Sequence, residues 1–180
     1  MASLKLFKEL FTNISTTGAV TFSSKPLVDK MLSYANFKGA KIIVELGGGD
    51  GSITQGIVDR MDSDAKLLVF EISSKFCDNL KKLFPQDNVI IINDSAEHID
   101  RYLNGDKADL ILSSLPFSLI PKPVRNQIYQ KSKNSVSESG KFIQICYSYL
   151  LKYQFADYFP NIKTTFTLKN FPPVFIMICN

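Results

Sequence analysis

Between Glu45 and Gly51 the chain reads Glu-Leu-Gly-Gly-Gly-Asp-Gly, an acid followed by three alternating glycines, Gly47, Gly49 and Gly51. Glycines of this spacing let a backbone turn sharply and approach a ligand closely. A dinucleotide loop would continue as G-x-G-x-x-G, but Ser52 stands where the third glycine of that pattern belongs. Glu45, two residues before the first glycine, is badly placed for a pyrophosphate and well placed for a ligand carrying positive charge. An NAD-dependent oxidoreductase is therefore disfavoured. Glu71 lies 20 residues past Gly51, where a carboxylate can accept from both hydroxyls of a ribose. Asp94, within Asn93-Asp94-Ser95-Ala96, can cap a helix beginning at Ala96. Farther on, Ser113-Ser114-Leu115-Pro116-Phe117 forms a turn fixed by proline, with a hydroxyl and backbone carbonyls that can accept hydrogen bonds and an aromatic ring beside them. The same turn can also end a strand with Phe117 in the core.

These residues need strand ends and helix starts to bring them together, and the chain supplies both in alternation. Ile42 to Leu46 is a β-branched run entering the glycine loop, followed by a helix over Ser52 to Met61. Lys66 to Glu71 is a second strand, Ser73 caps a helix that Pro85 ends, and Asn88 to Ile92 is a third strand. A short helix around Ala96 to Leu103, a strand over Ala108 to Ser113, a helix from about Pro121 to before Gly140, a strand over Lys141 to Tyr147 and a helix over Tyr149 to Phe159 follow. Such alternation predicts an α/β, doubly wound, Rossmann-like sheet, mostly parallel. Ile162 to Leu168 and Val174 to Cys179 are too close for a crossover, so they predict a C-terminal antiparallel hairpin. The whole chain reads as one domain, with residues 1–38 a helical extension (Leu4 to Phe11 and Ser24 to Asn36) and residues 39–180 the cofactor-binding core.

The Glu45-x-Gly47-x-Gly49-x-Gly51 string, with Glu71 and Asp94 after the next two strands, resembles class I S-adenosylmethionine-dependent methyltransferases. S-adenosylmethionine is the cofactor this implies; it carries a sulfonium and an ammonium and no phosphate. Under that resemblance Glu45, Gly47, Gly49, Gly51, Glu71, Asp94 and Ser113 are cofactor-binding residues. Ser114, Leu115, Pro116 and Phe117 resemble the Asn/Asp/Ser-x-Pro-aromatic signature of enzymes that methylate amine nitrogens, and so stand as the catalytic set. Thr17 to Ser24, Ser113 to Phe117 and Asn170 to Phe175 together are similar to the bacterial phospholipid N-methyltransferase family. The implied substrate is an amine-bearing lipid, the phosphatidylethanolamine headgroup. Ribosomal RNA adenine dimethylases are broader relatives, with Asn in place of Ser114 and an additional helical domain after the sheet. Gly48 and Asp50 replace the Pro and Thr usual in that family's loop. RNA is the alternative acceptor, and a catalytically silent cofactor-binding module is the other alternative.

Composition limits the remaining choices. In 180 residues, 45% hydrophobic content with 14 Phe and 7 Tyr suffices for a buried core, which excludes a disordered or disulfide-stapled chain. Cys77, Cys146 and Cys179 are odd in number and lack C-x-x-C spacing, so free thiols and no metal site are expected. No apolar run reaches the roughly 20 residues of a membrane span. The reading is a cytoplasmic protein. A net charge of +4 permits contact with phosphate backbones or anionic lipid but is too mild to identify either. Nucleic acid is the less favoured partner because Ser114 stands where the RNA enzymes have Asn. Leu4, Phe7, Leu10, Phe11 and Ile14 recur at helical spacing beside Lys5 and Lys8. This stripe either packs on the domain or gives peripheral contact with the inner face of the membrane through residues 4–14. His98 is expected on a helix surface without an acidic partner, Tyr147 and Tyr149 at the acceptor pocket or capping the core, and Lys131 and Lys133 on a solvated helix face. Oligomeric state is not legible.

Overall fold

The computed structural model describes residues 23–168 and 173–180. Helix α1 (Lys25–Leu32) starts where the Ser24 hydroxyl accepts from the Leu27 N–H. Strand β1 (Ile42–Leu46) leads through the glycine loop into α2 (Ser52–Val58); β2 (Lys66–Phe70) leads to α3 (Ser74–Leu83), capped by the Ser73 hydroxyl. Strand β3 (Val89–Ile92) is followed by a 3₁₀ turn (Ala96–His98) and α4 (Ile99–Leu103), and β4 (Ala108–Ser113) by α5 (Lys122–Ser135). The chain ends with β5 (Val136–Cys146), α6 (Leu151–Phe155), β6 (Ile162–Thr167) and β7 (Val174–Cys179).

These strands form one seven-stranded sheet in the order β3-β2-β1-β4-β5-β7-β6. The first five are mutually parallel, and β7 runs antiparallel to both β5 and β6. The expected α/β architecture and its antiparallel end are therefore present. The second strand of the hairpin lies inside the sheet and the first forms its edge. Successive residues of each central strand serve opposite faces. Val44, Leu46, Leu68 and Phe70 pack with residues of α4, α5 and α6, whereas Ile43, Leu67 and Val69 pack with residues of α1, α2 and α3. Both faces are thereby covered, and strands buried on both sides must be largely apolar, as β1, β2 and β4 are apart from Glu45, Lys66, Asp109 and Ser113.

Strand β5 begins at Val136, five residues before the expected Lys141. Ala108 pairs with Val136, the register then shifts, and pairing resumes with Leu110 opposite Lys141. Glu138 and Ser139 are exposed within this irregularity, so polar composition hid a strand that bulges there. Helix α6 is shorter than the expected Tyr149 to Phe159. The expected helix over Leu4 to Phe11, the membrane-contact segment 4–14, the Thr17 to Phe22 motif and Asn170 to Pro172 lie outside the described residues. Among the described residues no helix is long and apolar enough to cross a membrane, and no group of three or more His, Cys, Asp or Glu could hold a metal ion. All three cysteines are buried free thiols.

Candidate functional site

Strand order reverses between β1 and β4, and a ligand crevice in an open parallel sheet forms at the carboxyl ends beside such a reversal. The loop after β1 occupies that place. Gly47, Gly49 and Gly51 all have left-handed backbones, with φ of 89°, 53° and 86°. At Gly47 a side chain would also collide, since an added Cβ would lie 3.1 Å from Ser114 Oγ and 3.2 Å from Leu115 Cδ2. Gly48, which has no unusual φ, is needed for space: its Cβ would sit 2.6 Å from Val69 Cγ1 and 2.7 Å from Leu80 Cδ1. This second requirement was not visible in the sequence, because it comes from the packing of α3 on β2.

The loop is tied to Glu71. Its Oε2 accepts from the Gly49 N–H at 3.0 Å and its Oε1 from the Ser73 N–H at 2.8 Å. Burial pushes the Glu71 carboxyl above its ordinary range, and these N–H donors oppose the rise. Glu45 lies deeper. It is 1% exposed; Thr54 donates to its Oε2 at 2.7 Å, and its Oε1 has no hydrogen-bond partner. Burial raises its pKa to about 8 against the Thr54 hydrogen bond, with Glu71 and Asp50 adding repulsion. Asp50 itself turns to Ser52, accepting from its N–H at 3.1 Å and its hydroxyl at 2.7 Å.

Asp94 follows β3. Its Oδ1 accepts from the Ser95 N–H at 2.7 Å and from His98 Nδ1 at 2.9 Å, and its Oδ2 from the Tyr102 hydroxyl at 3.0 Å. Burial opposes its charge, but the His98 ring, the Ser95 N–H and the Tyr102 hydroxyl outweigh burial and hold the carboxyl below its ordinary range. His98 therefore has an acidic partner, contrary to expectation. The i, i+4 spacing of Asp94 and His98 was the available signal.

The turn after β4 is held from three sides. Ser114 Oγ donates to Gly47 O at 2.9 Å, Gln144 Nε2 donates to Leu115 O at 3.0 Å, and Arg125 Nη1 donates to Phe117 O at 3.0 Å. Ser113 is fully buried and its hydroxyl accepts from the Leu115 N–H at 3.3 Å. Phe117 is 1% exposed, with its ring 4.6 Å from Tyr129 and 5.7 Å from Phe155. It belongs to the core, and Pro116 is half-buried between it and the cleft-lining Leu115. Sequence reasoning missed Thr54, Gln144 and Arg125, which act through partners distant in sequence.

A narrow cleft at this end of the sheet brings together Gly47, Glu71, Asp94 and Leu115, with apolar walls from Phe70, Ile72, Ala96, Ile120 and Ile128. Tyr147 and Tyr149 are exposed, and the Tyr149 ring packs 5.5 Å from Phe175. Lys131 pairs with Asp100, and Lys133 lies over the Phe159 ring at 5.5 Å.

A family model described as the spermine/spermidine synthase domain matches residues 27–179, from α1 to the last strand. The chain belongs to this family. The chain is similar to the ornithine lipid N-methyltransferase of Singulisphaera acidiphila, 26% identical over 148 residues that cover 79% of this chain and 77% of that protein. It is also similar to ribosomal RNA small subunit methyltransferase A of Ureaplasma urealyticum, 28% identical over 138 residues, covering 72% of this chain and 48% of that protein. Among solved structures, the N-methyltransferase NodS of Bradyrhizobium japonicum in complex with S-adenosyl-L-homocysteine shares the fold at a TM-score of 0.69 and 7% identity, over 86% of this chain and 84% of that one. An rRNA methylase of Streptococcus thermophilus shares it at a TM-score of 0.63 and 16% identity, over 85% and 93%. The chain is thus a class I S-adenosylmethionine-dependent methyltransferase, related to lipid N-methyltransferases and rRNA methylases. The site's residues fit that cofactor. Left-handed Gly47 lines the cleft without a side chain, the Glu71 and Asp94 carboxylates line it too, and the buried Glu45, two residues before the loop's first glycine, keeps an oxygen unpartnered.

Proposed function

We propose that the chain methylates the amine nitrogen of a lipid headgroup, of the phosphatidylethanolamine type. The observation that carries this reading is the orientation of Ser114. Its hydroxyl proton is committed to the carbonyl of cleft-lining Gly47, so any further partner of the oxygen meets only lone pairs. Such a group selects a partner that has an N–H to give, and a neutral amine that donates its N–H there keeps its own lone pair for the methyl carbon. Bound S-adenosylmethionine supplies a methyl on a sulfonium, already activated for transfer. What remains for the protein is alignment, and misplacement of reacting atoms by about 1 Å can cost on the order of a hundredfold in rate. Gln144 and Arg125 serve that alignment by holding the carbonyls of Leu115 and Phe117. In this reading Glu71 accepts from the ribose hydroxyls, Asp94 from the adenine amine, and Gly47 to Gly51 pass along the methionine portion. The ornithine lipid relative, matched over most of both chains, supports a lipid amine.

RNA adenine is the second reading, favoured by the ribosomal RNA relative and the rRNA methylase fold neighbours. The test is transfer of labelled methyl from S-adenosylmethionine to three acceptors in parallel: phosphatidylethanolamine vesicles, ribosomal RNA and a soluble polyamine, the last prompted by the family's description. Label in the lipid extract alone is expected. Label confined to RNA, or to the polyamine, would reject the lipid assignment.

A further inference from the structure

We propose that His98 and Tyr102 are positioning residues that aim the Asp94 carboxylate at the cofactor's purine and set a preference for a 6-amino over a 6-oxo ring. The inference rests on the reading of Asp94 as the adenine contact and extends it to two side chains on the segment behind the cleft. An ionised carboxylate has about four places for hydrogen-bond donors. On Asp94, Oδ1 is filled by the Ser95 N–H and His98 Nδ1, and Oδ2 is half filled by the Tyr102 hydroxyl. One acceptor place is left, on Oδ2, and Asp94 lines the cleft together with Gly47 and Glu71.

The geometry makes this place sharply selective. Asp94, its carboxyl held below the ordinary range, is ionised at neutral pH and can only accept, so His98 meets it with a proton on Nδ1 and Tyr102 with its hydroxyl proton. The remaining place therefore takes a donor. An adenine amine has an N–H to give; a 6-oxo purine presents an oxygen, which would face a carboxylate held in its charged form. Tyr102 is itself fixed by packing, its ring meeting that of Phe70 edge-on at 5.3 Å and 89°, and Phe70 forms part of the cleft wall. His98 sits at the junction of the 3₁₀ turn and α4, so the backbone of that turn sets its distance from Asp94. The 3₁₀ turn is capped by Ser95, whose hydroxyl accepts from the Glu97 N–H at 3.3 Å, so capping does not account for the two donors that converge on the Asp94 carboxylate from one and two turns along the chain.

The test is calorimetric titration of the full chain with S-adenosylhomocysteine and with its deaminated 6-oxo analogue, S-inosylhomocysteine. Wild type is expected to prefer the amino form by about tenfold or more. Tyr102→Phe keeps the ring packed on Phe70, and His98→Ala removes the other donor. Each should weaken S-adenosylhomocysteine about three- to tenfold, the equivalent of one hydrogen bond, while leaving the analogue's affinity unchanged. Asp94→Asn should abolish the preference. If Asp94→Asn abolishes it and both His98 and Tyr102 variants retain it in full, the positioning proposal is wrong and the adenine contact stands. If Asp94→Asn leaves the preference intact, the adenine contact itself is wrong and the proposal goes with it. Lowered melting temperatures with an unaltered preference would assign His98 and Tyr102 to helix packing alone.

Discussion

Glu45 combines full burial, one hydrogen bond and an unpartnered oxygen, and its raised pKa has a consequence for stability. Unfolded, the carboxyl titrates near the ordinary value of 4.5; folded, it titrates at about 8. The native state thus holds one more proton than the unfolded state between those values. Its contribution to stability is complete below about 4.5 and is lost as pH rises toward 8. Glu45→Gln, neutral at every pH, should flatten that decline and raise the melting temperature at pH 8 relative to wild type, which thermal denaturation across pH 5 to 9 would measure. Glu71 makes the complementary case. Its carboxylate ties Gly49 and Ser73 and also faces the cleft, so Glu71→Ala should weaken S-adenosylhomocysteine binding about tenfold or more, the value of charge-assisted hydrogen bonds. Unchanged affinity by calorimetry would remove Glu71 from the ribose. The residue types at both positions were legible in the sequence. The burial that perturbs Glu45 and its Thr54 partner were not, since they depend on how α2 seats against β1.

At the scale of elements, Ala108–Ser113 and Val174–Cys179 coincide with the expected strands because the first is built on the apolar stretch Leu110 to Leu112 and the second is apolar throughout. The same reasoning explains the order of the last two strands. Val174–Cys179 is buried along nearly its whole length and lies inside the sheet, whereas Ile162–Thr167 alternates with polar residues and forms the edge. That contrast was readable from sequence. The early start of β5 was not, since a bulge of polar residues carries no periodic signal. The glycine loop illustrates a deeper limit. Alternating Gly47, Gly49 and Gly51 announce a ligand loop, but Gly48 looks dispensable until Val69 and Leu80 are seen against it. Gly48→Ala should therefore destabilise the fold by about 1–3 kcal/mol through overpacking, checked by urea denaturation. Gly49, whose Cβ would meet nothing within 4 Å, should cost less through crowding, although its left-handed backbone still resists a side chain.

The whole molecule shares its fold with methyltransferases of several substrates, and in the proposed function the turn after β4 specifies the acceptor side of the cleft. The order of motifs along the chain was enough to anticipate the sheet and the cofactor. Convergence of Gln144 and Arg125 on that turn was not, because their partners lie 29 and 8 residues away in sequence. At this scale the amphipathic stripe over residues 4–14 supports a proposal of peripheral membrane contact: Phe7→Glu should reduce co-sedimentation with anionic vesicles at low salt while leaving cofactor binding unchanged. Loss of thermal stability without any change in co-sedimentation would assign the stripe to packing. The central claim is that one cleft aligns the cofactor's methyl with an amine beside Ser114, and the most direct measurement is a crystal structure of the chain with S-adenosylhomocysteine. The account predicts the purine against Asp94, the ribose hydroxyls on Glu71 and the sulfur directed toward Ser114 and Leu115. A ligand bound away from Glu71, or with its sulfur turned from the Ser114 turn, would contradict it.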